Sequence, residues 1–190
     1  MAFDVNAPDR EILLALAREA IVSRLENRSP VWPSHSSALN ERRGAFVTIH
    51  KRGMLRGCIG RMVADTPLEK AVRDMAMAAA FEDPRFPPLG KSELESINLE
   101  ISVLSPMEPC RPDDIIPGIH GAYLTKGYRS GVFLPQVATE QGWDRDTFLE
   151  HLCYKASLPS GAYKDPDANL LRFTAVVFGD QVLGNLAIGQ

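Results

Sequence analysis

The amino-acid sequence predicts an α+β protein with a mixed sheet, β-hairpins and packed helices. Several segments repeat apolar residues at the three-to-four-residue spacing of a helix, whereas others alternate apolar and polar residues as half-buried strands do. Two pairs of alternating segments flank glycine-containing turns, which is typical of β-hairpins. With 190 residues, the chain is long enough for one domain of moderate size or for two interleaved subdomains.

The first half of the chain is predicted to form a helix, a hairpin, a second helix and a strand. These elements are a helix over Asp9–Glu26, a polar loop over Trp32–Arg43, strands over Gly44–His50 and Met54–Gly60, a helix after Thr66 and a strand over Ile97–Leu104. Thr66, Pro67 and Glu69 match an N-cap, a first-turn proline and a capping box. Pro84 ends the second helix, because proline disfavours helix at the residue before it.

The second half is predicted to contain a proline-rich linker, a second hairpin and two more helices. These elements are an irregular linker over Pro106–Pro117, a hairpin of Ala122–Thr125 and Gly131–Leu134, helices from Pro135 to Glu140 and from Asp144 to Ser157, and a strand over Leu170–Phe178. Asp144 is an N-cap for its helix, since its carboxylate can accept a free backbone N–H. The tail from Asp180 has no clear pattern.

The composition is that of a soluble globular protein, with 45% hydrophobic and 24% charged residues. The net charge is −3, with both signs mixed along the chain, which argues against nucleic acid or an anionic membrane as a partner. The most apolar run, Met75–Phe81, is too short to span a bilayer. The first residues lack the basic and apolar regions of a signal peptide. We therefore expect a cytoplasmic protein.

The strongest candidate for chemistry is the stretch Gly53–Gly60, which reads Gly-Met-Leu-Arg-Gly-Cys-Ile-Gly. Strict strand alternation places Met54, Arg56, Cys58 and Gly60 on one face, and Leu55, Gly57 and Ile59 on the other. The guanidinium of Arg56 is then within reach of the sulfur of Cys58, and a positive charge favours the reactive thiolate. Gly57 leaves a gap that suits close approach of a neighbouring backbone.

A structural role for the thiol stays open, because a free cysteine is more often a small buried hydrophobe. The three cysteines, Cys58, Cys110 and Cys153, are widely spaced and include no Cys-x-x-Cys pair. The sequence therefore predicts neither a disulfide framework nor a metal site.

Two residues outside this stretch are candidates for proton transfer with Cys58. Glu100 lies on the more polar side of a predicted strand, and His151 lies at the edge of the apolar stripe of a predicted helix. His151 can join Cys58 only if that helix packs over the first hairpin, which the sequence does not decide. His35, in the polar loop, is expected to be a solvated residue.

Asp83 and Arg85 flank Pro84 in a rigid turn. Because proline fixes the backbone there, the two charged side chains are held in fixed directions. One interpretation is a local ion pair within a well-structured loop. The other is a substrate contact made by Asp83 or Arg85.

The hexapeptide Leu55-Arg56-Gly57-Cys58-Ile59-Gly60 is similar to the signature of the AMMECR domain family, whose bacterial and archaeal members are called AmmeMemoRadiSam system protein A. Further matching blocks follow in family order: residues 80–81 with 83–89, 100–106, 133–137 with 141–143, 151–153 and 172–173. The resemblance covers roughly residues 9–178, within a single AMMECR-type domain over 1–190. Arg61 follows the hexapeptide where many members have a small residue.

The resemblance implies a compact α+β protein of two subdomains, with the hexapeptide near a cleft between them. It also implies two partner proteins, because genes for a Memo-like protein and a radical SAM protein tend to accompany genes of this family. It implies no defined activity, since none is firmly assigned to the family. Substrate and cofactor therefore stay unknown at this level.

Two hypotheses for the function follow. In the first, the protein is an enzyme or enzyme component in which Arg56 binds an anionic or carbonyl oxygen and Cys58 is a nucleophile or redox thiol. In the second, it is a binding or scaffold protein for a Memo-like or radical SAM partner. The hexapeptide hairpin is then structural, and its arginine pairs with a buried carboxylate.

Overall fold

The structure is a computed structural model that describes residues 4–33 and 36–180. In chain order, its main elements are α1 (Ala7–Glu26), β1 (Ala45–Lys51), β2 (Met54–Arg61), α2 (Leu68–Phe81), β3 (Ile97–Leu104), β4 (Glu108–Pro109), β5 (Gly121–Lys126), β6 (Arg129–Phe133), α3 (Pro135–Gln141), α4 (Arg145–Lys155), β7 (Asn169–Phe173) and β8 (Ala175–Gly179). Short 3-10 helices span Ser37–Asn40, Lys91–Ser96, Pro112–Asp114 and Ala162–Lys164. The prediction of an α+β fold is confirmed.

Among the described residues, the larger of two units contains 4–33, 36–103 and 176–180. Its sheet has the strand order β2-β1-β3-β8, and β1 is antiparallel to both β2 and β3. Helix α2 packs across β1 and β2, and α1 packs against α2. One face of the sheet is therefore buried in the core, with Val47, Ile49, Leu99 and Ile101 almost fully covered.

Helix α2 begins differently from its prediction. Pro67 is the N-cap, with an extended backbone, and no side chain caps the helix, so the predicted Thr66–Glu69 capping box is wrong. The N–H of Leu68 donates instead to the carbonyl of Glu41 at 2.9 Å. Because a neighbouring backbone segment already satisfies this amide, the hydroxyl of Thr66 is not needed there.

The smaller unit contains residues 104–175. Its sheet has the order β4-β7-β5-β6, and β5 is antiparallel to both β6 and β7. Helix α4 packs on β5 and β6, and its core residues Phe148, Leu149 and Leu152 are fully buried. Asp144 caps α4 as predicted, since its carboxylate accepts the N–H of Thr147 at 2.8 Å.

The proline-rich segment Pro106–Pro117 is part of the smaller unit, so the prediction of a linker between subdomains is wrong. Glu108 and Pro109 form the edge strand β4 and pair with β7. An edge position tolerates proline because a strand needs ladder partners on one side only. This segment has no regular spacing of apolar residues because it contains only a short edge strand followed by a 3-10 turn.

The single strand predicted over Leu170–Phe178 is two strands, β7 and β8, in different sheets. They are separated at Thr174, whose N–H donates to the hydroxyl of Ser105 and whose carbonyl accepts the N–H of Ser105, both at 2.9 Å. Phe173 is buried in β7, whereas β8 packs Val176 and Phe178 on the core and exposes Val177. Because Val176, Val177 and Phe178 are all apolar, the sequence does not show which of them are covered. Periodicity therefore gives no sign that the chain changes sheets.

Within residues 4–33 and 36–180, no helix is both long enough and apolar enough to cross a bilayer. His35 and the tail beyond Asp180 lie outside the described residues, so the predictions for them stay predictions.

Candidate functional site

The hexapeptide forms most of β2, and its regular pairing with β1 is interrupted by a bulge. Thr48 faces Cys58 and Ile49 faces Gly57, but His50 faces Leu55, so Arg56 has no partner on β1. Such an extra residue bends a strand and redirects its side chain. The predicted strict alternation is therefore wrong: Leu55 lies on the face of His50 and is exposed, not on the apolar face with Gly57 and Ile59.

The bulged Arg56 is bound by Glu93, which lies in the 3-10 helix before β3. The guanidinium donates from Nε to Oε1 at 3.1 Å and from Nη2 to Oε2 at 3.0 Å, a two-pronged contact. Lys51 donates to the same Oε1 at 2.7 Å, and the N–H of Gly90 donates to Oε2 at 2.9 Å. These hydrogen bonds lower the pKa of Glu93 to about 2. The bond from Arg56 has the largest effect on this pKa, and the bond from Lys51 has the second largest.

The structure places Arg56 on a carboxylate and not on the sulfur of Cys58. Its side chain is only 11% exposed, and its remaining contacts are the carbonyl of Pro88 at 3.5 Å and the ring of Phe86 at 5.9 Å. The scaffold hypothesis predicted an arginine–carboxylate pair, and the structure has one with a partly exposed carboxylate, since the Glu93 side chain is 17% exposed. A guanidinium held in this way fixes the path of β2 at the bulge.

Cys58 is held by its backbone as well as its side chain. Its N–H donates to Oδ2 of Asp83 at 2.8 Å, and its carbonyl accepts Nη2 of Arg85 at 3.1 Å. Its sulfur accepts the hydroxyl of Thr48 at 3.2 Å. The residue is half-buried, and these three hydrogen bonds fix it in place.

The Asp83–Arg85 ion pair forms the wall beside Cys58. Nε of Arg85 donates to Oδ1 at 2.9 Å and Nη2 donates to Oδ2 at 2.7 Å. The Asp83 side chain is 2% exposed and that of Arg85 is 54% exposed. The hydrogen bond from Arg85 is the largest cause that holds the pKa of Asp83 well below its usual range.

Arg85 is a cation whose charge interacts with that of Cys58. The hydrogen bond to Asp83 is the largest cause that raises the pKa of Arg85, and the charge of the Cys58 thiolate adds to it. About half of the Arg85 side chain is exposed, and its Nη2 lies on the carbonyl of Cys58.

The sheet face that carries Cys58 also carries Glu100 and two residues that the sequence reasoning missed. Thr48 faces Cys58 on one side and Glu100 on the other, so the three lie in one row across β2, β1 and β3. The strand spacing separates Cys58 from Glu100 by about 10 Å. His50 lies on the same face of β1, about 7 Å along the strand from Thr48.

His50 is half-buried, and its imidazole makes no hydrogen bond to any other described residue. The alternation of β1 contained a signal for both missed residues, since Thr48 and His50 alternate with the buried Val47 and Ile49. His50 is therefore the imidazole that shares a sheet face with Cys58.

The two glycines of the hexapeptide lie against protein atoms. A Cβ built on Gly57 would be 2.2 Å from the carbonyl oxygen of Ala79 in α2. A Cβ on Gly60 would be 1.9 Å from the ring of Phe46. The backbone that approaches Gly57 thus belongs to a helix, while Ile59 packs beside it against the core.

His151 belongs to the smaller unit. Its ring stacks on Trp143 with 4.0 Å between centroids and 3° between planes, and it meets Tyr154 edge-on at 5.9 Å. The neighbouring Cys153 is fully buried, and burial raises its pKa. A dyad of Cys58 and His151 stays a prediction.

Metal binding has no support in the part of the chain that the structure describes, where no three histidine, cysteine or acidic residues are grouped as ligands. The Thr48 hydroxyl contacts the half-buried Cys58, the Arg85 guanidinium binds its carbonyl, and an imidazole and a carboxylate share its sheet face. This set can hold an anionic or carbonyl oxygen and transfer a proton.

Comparison with known proteins gives consistent matches along nearly the whole chain. The model of the AMMECR1 family matches residues 14–178. Protein MK0488 of Methanopyrus kandleri is 42% identical, over 95% of this chain and 93% of that protein. A protein of Methanothermobacter thermautotrophicus is 45% identical, over 87% of this chain and 91% of its own length.

A solved structure has the same fold. The crystal structure of uncharacterized protein PH0010 from Pyrococcus horikoshii superposes with a TM-score of 0.82 at 37% sequence identity. The match covers 90% of this chain and 91% of that chain. The likeness therefore includes both sheets described above.

Proposed function

The chain belongs to the AMMECR1 family, and from this premise we propose that it is an enzyme, or a component of one, that uses Cys58 as its reactive group. The cleft is built around Cys58 and Arg56 and takes a small-molecule substrate. A Memo-like protein and a radical SAM protein act with it, in the cytoplasm. The resemblance supports the choice of partners, and the geometry supports the choice of residue.

The observation that carries this proposal is the position of the Cys58 sulfur. The thiol is half-buried in a rigid frame, with the Thr48 hydroxyl at 3.2 Å and the peptide groups tied to Asp83 and Arg85. A cysteine that only fills space is surrounded by aliphatic groups. Here the sulfur instead accepts a hydrogen bond from the Thr48 hydroxyl, and Arg85 binds the carbonyl of the same residue.

The roles of the other residues follow from their contacts. In a nucleophilic step, the sulfur forms a bond to an electrophilic carbonyl carbon, and the π electron pair moves to the carbonyl oxygen. The exposed part of Arg85 binds that oxygen. The thiol proton goes to His50 or Glu100, which share the sheet face. Arg56 is a positioning residue, because it acts on β2 through Glu93.

Alkylation kinetics test this proposal. The intact chain is treated with iodoacetamide at pH 7, and each cysteine is followed by peptide mass spectrometry. We expect Cys58 to react at least about tenfold faster than Cys110 or Cys153, since burial raises the pKa of both those thiols and the thiolate is the reactive form. A Cys58 rate equal to that of Cys110 would contradict the proposal.

A second candidate is a binding or scaffold protein, and two specific contacts favour it. The Arg56–Glu93 pair holds β2 at its bulge, and Gly57 allows α2 to pack closely on β2. Both contacts are structural roles for the hexapeptide. Both candidates predict that the chain co-elutes with the purified Memo-like and radical SAM proteins on gel filtration. Only the enzyme candidate predicts fast alkylation of Cys58, so the two measurements separate them.

A further inference from the structure

A groove of about 450 Å³ lies between α1 and α2, with Trp32 along one side. Six of the residues that line it are Ala20, Arg24, Pro30, Trp32, Arg73 and Met77. We name this surface the Trp32 groove. Trp32 is 42% exposed, so part of this large residue is available to a ligand. None of these residues contacts Cys58.

Two arginines of the Trp32 groove are stacked on aromatic rings. The guanidinium carbon of Arg73 lies 4.6 Å from the ring centroid of Trp32, and that of Arg24 lies 4.5 Å from that of Phe81. Stacking occupies the flat face of a guanidinium and leaves the N–H donors at its edge available. Both side chains are thus oriented before any ligand arrives.

The edge donors of these two arginines are unused. Within residues 4–33 and 36–180, neither guanidinium donates a hydrogen bond. Arg73 has a single distant carboxylate contact, with Glu69 at 3.9 Å, and Arg24 has none. Arginine carries five N–H donors in a planar fork that matches a carboxylate.

The other two cations of the Trp32 groove are already neutralised. Arg28 binds Glu19 at 2.6 Å, and Lys70 binds Asp74 at 2.6 Å. The charge available to a ligand is therefore concentrated at Arg24 and Arg73, in a groove that the apolar Ala20 and Met77 also line.

A second groove of about 500 Å³ lies on the other side of Trp32, and Val22, Val31 and Pro33 also line it. Trp32 is therefore a ridge between two open depressions. A small molecule buries most of its surface in a single pocket, whereas a chain segment can cross a ridge and contact both sides. The shape thus favours a peptide.

We propose that the Trp32 groove docks an acidic segment of a partner protein. Two carboxylates of that segment bind the edges of Arg24 and Arg73, and an aromatic or aliphatic side chain between them packs on Trp32 and Met77. Tryptophan and arginine are the residues most often found to dominate binding energy at protein interfaces. The charge pattern of the surface selects an acidic partner.

The test uses a fluorescein-labelled synthetic peptide of about 16 residues, with leucine and phenylalanine at helical spacing and glutamate elsewhere. Binding to the intact chain is measured by fluorescence anisotropy. The variant R24Q/R73Q removes the two anchors. The matched control R111Q/K155Q removes two exposed positive charges from the smaller unit, and a second peptide carries glutamine in place of every glutamate.

We expect R24Q/R73Q to weaken binding of the acidic peptide by about tenfold, since two exposed ion pairs are lost. R111Q/K155Q should bind within about twofold of the original chain, and the glutamine peptide should bind about tenfold more weakly. Trp32→Ala should weaken binding with both arginines in place, which keeps the proposal testable if R24Q/R73Q fails to fold.

Three results would overturn the proposal. The first is no binding of the acidic peptide. The second is equal weakening of binding in R24Q/R73Q and R111Q/K155Q, which would indicate non-specific electrostatic attraction. The third is binding of 1-naphthoate as tight as that of the peptide, which would identify a small-molecule pocket.

Discussion

The hairpins β1–β2 and β5–β6 are built alike. Features that both hairpins share are structural, whereas features found in one hairpin are candidates for a function. In each sheet, the second hairpin strand is the edge, the first lies inside it, and the strand that follows the helices comes next. In each edge strand, a glycine lies under helix backbone: Gly57 under Ala79 and Gly131 under Ala156.

The two hairpins differ at the bulge of β2 and in the residues around that bulge. All five pairs between β5 and β6 are in continuous register, whereas β2 has its bulge at Arg56 and holds a half-buried thiol. Glycine under a helix is therefore a general property of this hairpin-and-helix arrangement. Gly57 by itself is no sign of a ligand, but the bulge and the framed sulfur are particular to β2.

The largest expected effect concerns the glycine that lies against helix backbone in each hairpin. Gly57→Ala would place a methyl group 2.2 Å from a backbone carbonyl, and Gly131→Ala would place one 2.7 Å from a backbone nitrogen. We expect both to lower the free energy of unfolding in urea, by about 3 and 2 kcal/mol, because neither helix backbone can give way.

Gly90→Ala is the control for these two variants, since its Cβ would meet only ordinary contacts from 3.7 Å. Its free energy of unfolding should change by less than about 0.5 kcal/mol. If Gly131→Ala were as harmless as the control, the two hairpins would not be equivalent.

A second prediction concerns the Arg56–Glu93–Lys51 charge cluster of the first hairpin. The pKa of Glu93 is about 2 in the folded protein and 4.5 ordinarily, so its stabilisation is fully present above pH 4.5 and is lost as the pH falls towards 2. The difference in free energy of unfolding between the original chain and Glu93→Gln should therefore be up to about 3 kcal/mol at pH 6 and shrink on acidification.

Urea titrations between pH 6 and pH 2.5 measure this difference. Glu95→Gln, a neutralisation at an exposed position of the same 3-10 helix, is the matched control and should show no such trend. A Glu93→Gln effect that stays constant over this range would mean that the Arg56–Glu93 pair does not stabilise the bulge by its charge.

The smallest expected effect concerns the thiol. Thr48→Val keeps the shape of the side chain and removes the donor to the Cys58 sulfur. Loss of one hydrogen bond of about 1 kcal/mol should slow alkylation of Cys58 at pH 7 by about fivefold. Cys110 in the same sample is the internal control, and its rate should not change. An unchanged Cys58 rate would show that the hydroxyl does not assist the sulfur.

The α+β class and the family were predictable because they depend on local pattern. Ile97–Leu104 was predicted as a strand with the observed bounds, and Asp144 was identified as a cap, since periodicity and capping chemistry act within a few residues. The family resemblance rested on blocks of adjacent residues, and it is confirmed.

The parts of the site that could not be predicted depend on pairing between distant segments. Glu93 is 37 residues from Arg56, and no spacing rule joins them. The bulge depends on which residue of β1 faces Leu55, and β2 alone does not contain that information. His50 is different, because the alternation of β1 already placed it beside Thr48.

The bond pattern around Cys58 has a consequence for self-association. Strand β2 is an edge of its sheet, and a free edge exposes N–H and carbonyl groups that invite a strand from another molecule. Asp83 and Arg85 occupy the N–H and the carbonyl of Cys58, as an additional strand would. The turn that frames the thiol thus also closes this edge to aggregation.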